Sequence, residues 1–241
     1  MSDRPDRARN RRAVLALAPA VLLGALVPSP ASAAAPALTT QLLTAADLPG
    51  FTVAVKPQRE GLDDFTEAGP CALDVPARSV AASTVLDTST TSKDKRRTTS
   101  LSVTETALRM PSAEAAAAVF EQMRRVLPDC LRAVPGDEDD AEAARMSVRV
   151  GAARAVEGSS AGFRVDAHLS STVREDGTRF TSRQALRQTY YLAGTTIVSL
   201  TTSRSVSVVR EKSISISGTL GPVVKRVAGQ AAEAAVAKVA G

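Results

Sequence analysis

The chain has 241 residues, 30 of them basic and 25 acidic, for a formal net charge of +5. Five of the basic and two of the acidic residues fall within the first 33 positions, so the remaining 208 residues carry only +2. With no Trp and 3% aromatic residues, that near-neutral remainder excludes a nucleic-acid binder, which needs a clustered basic excess beside stacking side chains.

The first element is a leader. Arg9, Arg11 and Arg12 form a basic head, Ala13 to Val27 is an apolar run, and Pro28 to Ala33 ends in a small-x-small pattern with cleavage expected between Ala33 and Ala34. That three-part layout predicts a secretory signal peptide over residues 1–33. The apolar run is shorter than the roughly 20 residues a membrane span requires, and no second one follows. A secreted protein with no membrane span after leader removal is therefore expected. Asn10-Arg11-Arg12-Ala13 loosely fits a twin-arginine leader, but a general Sec signal with a basic head is the simpler reading. No cysteine stands at the cleavage site to receive a lipid.

Residues 34–41 read as a disordered lead-in, and residues 42–241 as one domain, long enough for a single sizeable core. Thr44 to Asp47 forms a capped turn, with Asp47 reaching back, and Phe51, Val53 and Val55 alternate as a strand. Lys56 to Pro76 is rich in Gly and Pro and reads as a long loop around Cys71. Ser79–Ser89 and Thr98–Leu108 predict two strands joined at a charged tip, Lys93 to Arg97, with Leu101, Val103 and Ala107 facing inward.

A helix opens at Pro111-Ser112, with Ser112 as its cap. Ala116, Val119, Phe120, Met123, Val126 and Leu127 share one face, and Pro128 is expected to stop it. After an acidic loop, Gly136 to Glu142, the apolar period becomes two. Met146, Val148 and Val150 mark one strand. Phe163, Val165, Ala167, Leu169 and Val173 mark another, opposite Arg164, Asp166, His168, Ser170 and Thr172. Asp176-Gly177 and Ala193-Gly194 signal the turns of a meander through Phe180–Leu192 and Thr195–Ser203. A last helix follows, with Pro222 in its first turn and a small inner stripe of Leu220, Val223, Val224, Val227, Ala231 and Ala235. The predicted fold class is α+β: an antiparallel sheet with two main helices packed on one face.

Cys71 and Cys130 are the only cysteines, and both follow the leader. In an oxidising compartment an even count favours a disulfide, and Cys130 emerges on the buried side of its helix. Closing a loop of this length restricts the unfolded chain by roughly 4 kcal/mol. Two thiols and a single His do not complete a tetrahedral metal set, so no metal site and no cofactor are expected.

Two catalytic patterns fail on context. Gly158-Ser159-Ser160-Ala161-Gly162 matches a nucleophile elbow, with Asp166 and His168 following in hydrolase order. An elbow needs a helix after the serine, whereas Phe163 onward alternates as a strand. His168 then stands about 17 Å along that strand from the turn. Ser92-Lys93-Asp94-Lys95 matches S-x-x-K but occupies a charged hairpin tip, and Asp137 to Asp140 lacks the spaced ligands of a calcium loop. The remaining candidate is a basic patch, Arg164, His168, Arg183 and Arg187 on the polar sheet face with Arg149 nearby. It suits an acidic envelope component such as a phospholipid headgroup or a teichoic-type glycan. It is also what a one-sided sheet shows to water.

Three features carry a resemblance: the opening Leu42 to Phe51, Cys71 after the first loop, and Ser112-Ala113-Glu114-Ala115-Ala116 leading through Phe120 to Leu127-Pro128-Asp129-Cys130. Together they are similar to the exported sensor-type domains of actinobacteria, best known from the extracellular domain of PknH-type receptor kinases. The resemblance implies an α+β fold with a cleft for an envelope ligand and no catalysis. The chain has one cysteine pair where the kinase sensor has two disulfides, and it has no kinase domain. A second resemblance is to small envelope proteins of PsbP-like α+β fold. The expected function is a secreted, non-catalytic ligand-binding or sensor-like protein of the cell envelope. A secreted hydrolase and an exported protein–protein interaction module are the alternatives.

Overall fold

The computed structural model describes residues 36–66, 72–94, 96–132, 145–175, 178–209 and 217–240. The strands are β1 (Thr52–Glu60), β2 (Val80–Thr91), β3 (Arg97–Arg109), β4 (Arg145–Ala152), β5 (Ala161–Glu175), β6 (Thr178–Ala193) and β7 (Thr196–Val209). The helices are the single turn α1 (Asp63–Thr66), α2 (Ala113–Arg132) and α3 (Ser217–Ala240). The leader, Cys71, the acidic loop and Asp176-Gly177 lie outside the described residues.

All seven strands join one antiparallel sheet in the order β1-β2-β3-β7-β6-β5-β4. Two meanders, β1 to β3 and β4 to β7, meet where β3 pairs with β7 along its whole length, Arg97 opposite Val208 through Arg109 opposite Thr196. The two-residue connection from β6 to β7 uses Gly194, whose φ of +57° suits a residue without a Cβ.

The helices do not share a face. In β6, Tyr190 and Leu192 cluster with the α2 residues Ala116, Val119, Phe120 and Met123. Their neighbours Tyr191 and Ala193 cluster with the α3 residues Val227, Ala231, Ala232, Ala235 and Val236. In β7, Ile197 joins the first group, Val198 and Leu200 the second. Successive strand residues point to opposite faces, so α2 covers one side of the sheet and α3 the other. The expectation of two helices on one face is corrected accordingly. The α2 side is held by aromatic rings: Phe120 meets Phe163 edge-on at 5.3 Å, and Phe163 stacks on Tyr190 at 4.6 Å.

Four local expectations also change. The lead-in contains a 3-10 turn, Leu38–Gln41, with Leu38 buried and Arg109 donating to the Gln41 side-chain Oε1. The segment read as a loop from Lys56 continues as β1 through Pro57 to Glu60 and then α1. Pro57 is tolerated because β1 is an edge strand and its register shifts between Val55 and Gln58. Helix α2 runs through Pro128 to Arg132. The proline removes the donor to the carbonyl of Arg124, but Arg124 is exposed and water can replace it. Helix α3 starts at Ser217, more than a turn before Pro222. Among the described residues, no helix is long and apolar enough to cross a membrane.

Candidate functional site

The alternation of β5 puts Arg164, Asp166 and His168 on the α3 side of the sheet, opposite the buried Phe163, Val165 and Ala167. Register extends that face in both directions. Arg149 pairs with Asp166 on one side and Arg187 on the other, while Arg183 stands opposite Ser170. The structure thus brings all five basic residues expected from sequence onto one face. Because α3 packs over β6 and β7, the β4–β5 part of this face is a floor and the helix its wall.

Asp166 organises the middle of the floor. Arg187 donates to it through Nε at 2.6 Å and through a terminal nitrogen at 3.1 Å, and Arg164 donates through Nε at 3.1 Å. Arg187 is only 13% exposed, Arg164 39%. Arg164 also donates to the Ala152 carbonyl at 3.0 Å, and its guanidinium lies against Gly151, where a Cβ would stand 3.4 Å away. Burial acts to raise the Asp166 carboxyl, but the bonds and charges of Arg187 and Arg164 outweigh it and hold the group below its ordinary value. The aspartate is committed as an anion, and two arginines share it. Arg149 and His168 are exposed. Arg183 forms no ion pair among the described residues, and its Nε is buried without an acceptor. The buried hydroxyls of Thr181 and Thr202, on the same face, also lack partners.

One end of the floor opens into a groove of about 670 Å³ between α3 and the β4–β5 connection, lined by Arg154 to Gly158, Glu233, Ala237 and Ala240. Arg154 and Glu233 face each other across it at 3.5 Å. Gly158, at φ +87°, lets the connection approach the helix so closely that a Cβ would meet that of Ala240 at 2.9 Å. Ser160 is no nucleophile elbow: strand β5 follows it, and its hydroxyl donates to the Leu192 carbonyl at 3.2 Å. Among the described residues, no three His, Cys, Asp or Glu gather as metal ligands.

Sequence reading missed a second polar centre. Glu105 is fully buried on β3, its Oε2 accepting from the Leu43 amide at 2.5 Å and its Oε1 without a partner. Nearby, Lys238 of α3 donates to the Leu42 carbonyl at 3.0 Å and to Asp47 at 2.5 Å. Asp47 also accepts from the Thr44 amide and hydroxyl. The turn reaches back as expected, with the Thr44 carbonyl accepting in return from the Asp47 amide at 3.0 Å. Burial pushes the Glu105 carboxyl up to about 7, against the Leu43 bond and the Lys238 charge, with Asp47 adding to the rise. Burial would raise Asp47 too, yet Lys238 and Thr44 hold it below its ordinary value. The signal was parity, since Glu105 alternates with Val103 and Ala107 on the inward face of its strand.

No protein-family model matches the chain, and no curated protein matches it. Solved structures do. An uncharacterised protein of Mycobacterium smegmatis, the Rv0999 ortholog, is similar at 13% identity over 80% of this chain and 90% of its own, with a TM-score of 0.36. LpqN of Mycobacterium tuberculosis, described as involved in cell envelope biogenesis, is similar at 12% identity over 79% of this chain and 93% of its own, with a TM-score of 0.27. The extracellular domain of PknH from Mycobacterium tuberculosis is similar at 11% identity over 83% of this chain and 93% of its own, with a TM-score of 0.33. The last of these is a domain of the type that the sequence motifs resemble.

Proposed function

We propose that the protein is an exported, non-catalytic binding protein of the cell envelope whose basic sheet face takes an acidic lipid headgroup or glycan. The observation that carries this reading is uncompensated charge. Arg164 and Arg187 share one carboxylate, while Arg149 and Arg183 form no ion pair among the described residues. Holding guanidinium groups together without counter-ions costs free energy in a protein that only needs to fold, and an arriving anion offsets that cost. The leader supports export, and the hydrogen-bonded Ser160 supports a role without catalysis. A disulfide between Cys71 and Cys130 belongs to the same reading.

Native mass spectrometry of the protein purified from its own host tests the function. A co-purifying acidic lipid or glycan, lost from the Arg149→Gln/Arg183→Gln double variant, is the expected result. A clean apo mass for the unaltered protein counts against it.

A further inference from the structure

The cations on this face follow the period of the strands. Side chains on one face recur every second residue, about 6.7 Å apart along a strand. Register therefore sorts the face into cross-strand rows. Arg164 opens the first, Arg149, Asp166 and Arg187 form the second, His168 stands in the third, and Arg183 and Ser170 form the fourth. Within β4 to β6 three of the four rows carry a guanidinium, over a length of about 20 Å at that spacing, and Arg204 on β7 adds one to the third. Within those strands only the second contains a carboxylate. A single phosphate or carboxylate can engage one row and leaves the others unsatisfied.

We infer that the occupant is a linear polyanion lying along β5, with its charges recurring at the two-residue period: a phosphodiester-linked polyol chain of the poly(glycerol phosphate) kind. This deepens the proposed function and rests on it. A glycerol phosphate repeat places as many backbone bonds between successive phosphates as two peptide residues place between rows, so an extended chain keeps step with the strand. The His168 ring and the Ser170 hydroxyl supply hydrogen-bonding groups suited to the polyol hydroxyls between phosphates. Nucleic acid shares the phosphodiester but needs platforms for its bases. The only tyrosines, Tyr190 and Tyr191, are buried at 4% and 3% exposure, and no Trp exists in the chain.

Titration calorimetry with synthetic glycerol phosphate oligomers of graded length, from monomer to octamer, tests the inference. Affinity is expected to rise steeply with length until all the rows are spanned, and then to level off. For the octamer, log K should fall against log salt with a slope of about −2, the value for three phosphate contacts on a flexible single chain. Arg149→Gln and Arg183→Gln should each make that slope shallower by about 0.7. Arg124→Gln on α2, across the sheet, should leave it unchanged, and thermal melts establish that each variant is folded. If the monomer, or vesicles containing a phosphatidylglycerol headgroup, bind as tightly as the octamer, the polymer inference is overturned and the simpler headgroup reading stands. If neither oligomer nor vesicle binds, or the Arg149 and Arg183 variants bind like the unaltered protein, the basic face as a binding site falls with it.

Discussion

Glu105 and Asp166 are two carboxylates on the same side of one sheet with opposite fates, and the difference is the number of donors each meets. Asp166 has two guanidinium partners and ionises readily. Glu105 has one backbone amide and a second oxygen with none. The sign of their effect on stability follows. Burial pushes the folded Glu105 carboxyl up to about 7 from its ordinary value of 4.5, so between those values the native state holds the proton more tightly than the unfolded chain. Stability therefore declines as pH rises through that window, by at most about 3 kcal/mol, and is flat above it. Asp47 and Asp166 are lowered, so their contribution is present above the ordinary carboxylate range and is lost as pH falls below it. Urea unfolding across pH 3 to 8 should accordingly peak near the middle of the acidic range, and Glu105→Gln should remove the decline toward neutrality. An unaltered neutral limb in that variant would refute the assignment. Asp166→Asn leaves Arg187 nearly buried without its anion, which should cost about 1–3 kcal/mol in the same measurement. The loss of the one negative charge should also tighten polyanion binding. Sequence put Arg164 and His168 on one face because parity within a strand is local information, whereas the addition of Arg183, Arg187 and the nearby Arg149 to that face rests on register. It did not pair Asp166 with Arg187, because that contact depends on the β5–β6 register.

Helix α3 shows how an element is shaped by what it covers. Ala231, Ala232, Ala235 and Val236 have 0% exposure, and the small stripe lets the helix lie close over β6 and β7. Replacing Ala235 with Leu adds volume where there is none, and the expected cost is about 1–3 kcal/mol from strained rotamers and backbone shift. Ala234→Leu, at a half-buried neighbouring position, should cost clearly less. Equal melting temperatures for the two variants would mean the stripe is not close-packed. The stripe was legible from sequence, and so were the core strands of the meander, to within two residues at their ends except that β7 runs six residues past Ser203. The side on which α3 lies was not read, although a signal was present. Ala107-Leu108, Tyr190 to Ala193 and Ile197-Val198 are unbroken apolar steps in the central strands, which mark burial on both faces. Those steps were outweighed by the clean alternation of β5, whose polar face stays open because α3 covers β6 and β7 instead. The extension of α2 past Pro128 was hidden for a related reason. A proline costs a helix one hydrogen bond, and the buried side chains of Pro128 and, beyond it, Cys130 show packing continuing through the break.

At the scale of the whole molecule, the two meanders are joined by the β3–β7 ladder, while the connection from β3 to β4 crosses the α2 side of the sheet. The segment after Cys71 is fastened to that crossing helix. Gln122 of α2 accepts from the Asp74 amide at 2.9 Å and donates to the Ala72 carbonyl at 3.4 Å, and Leu73 and Val75 cluster with Phe120 and Met123. The residue that follows Cys71 is thereby docked on the helix that carries Cys130, itself 9% exposed. A bridge between the two cysteines would tie the first meander to the helix leading into the second, and its stabilisation would act through the unfolded chain. On the loop-closure account its loss costs roughly 4 kcal/mol. Cys71→Ser and Cys130→Ser should then each lose about that much, and the double variant should lose no more than either single one, since all three lack the same bond. Mass spectrometry without reductant should find neither thiol open to alkylation. Alkylation at both positions, or costs that add in the double variant, would show two independent thiols and leave the docking of the segment after Cys71 on α2 to Gln122 and the apolar contacts.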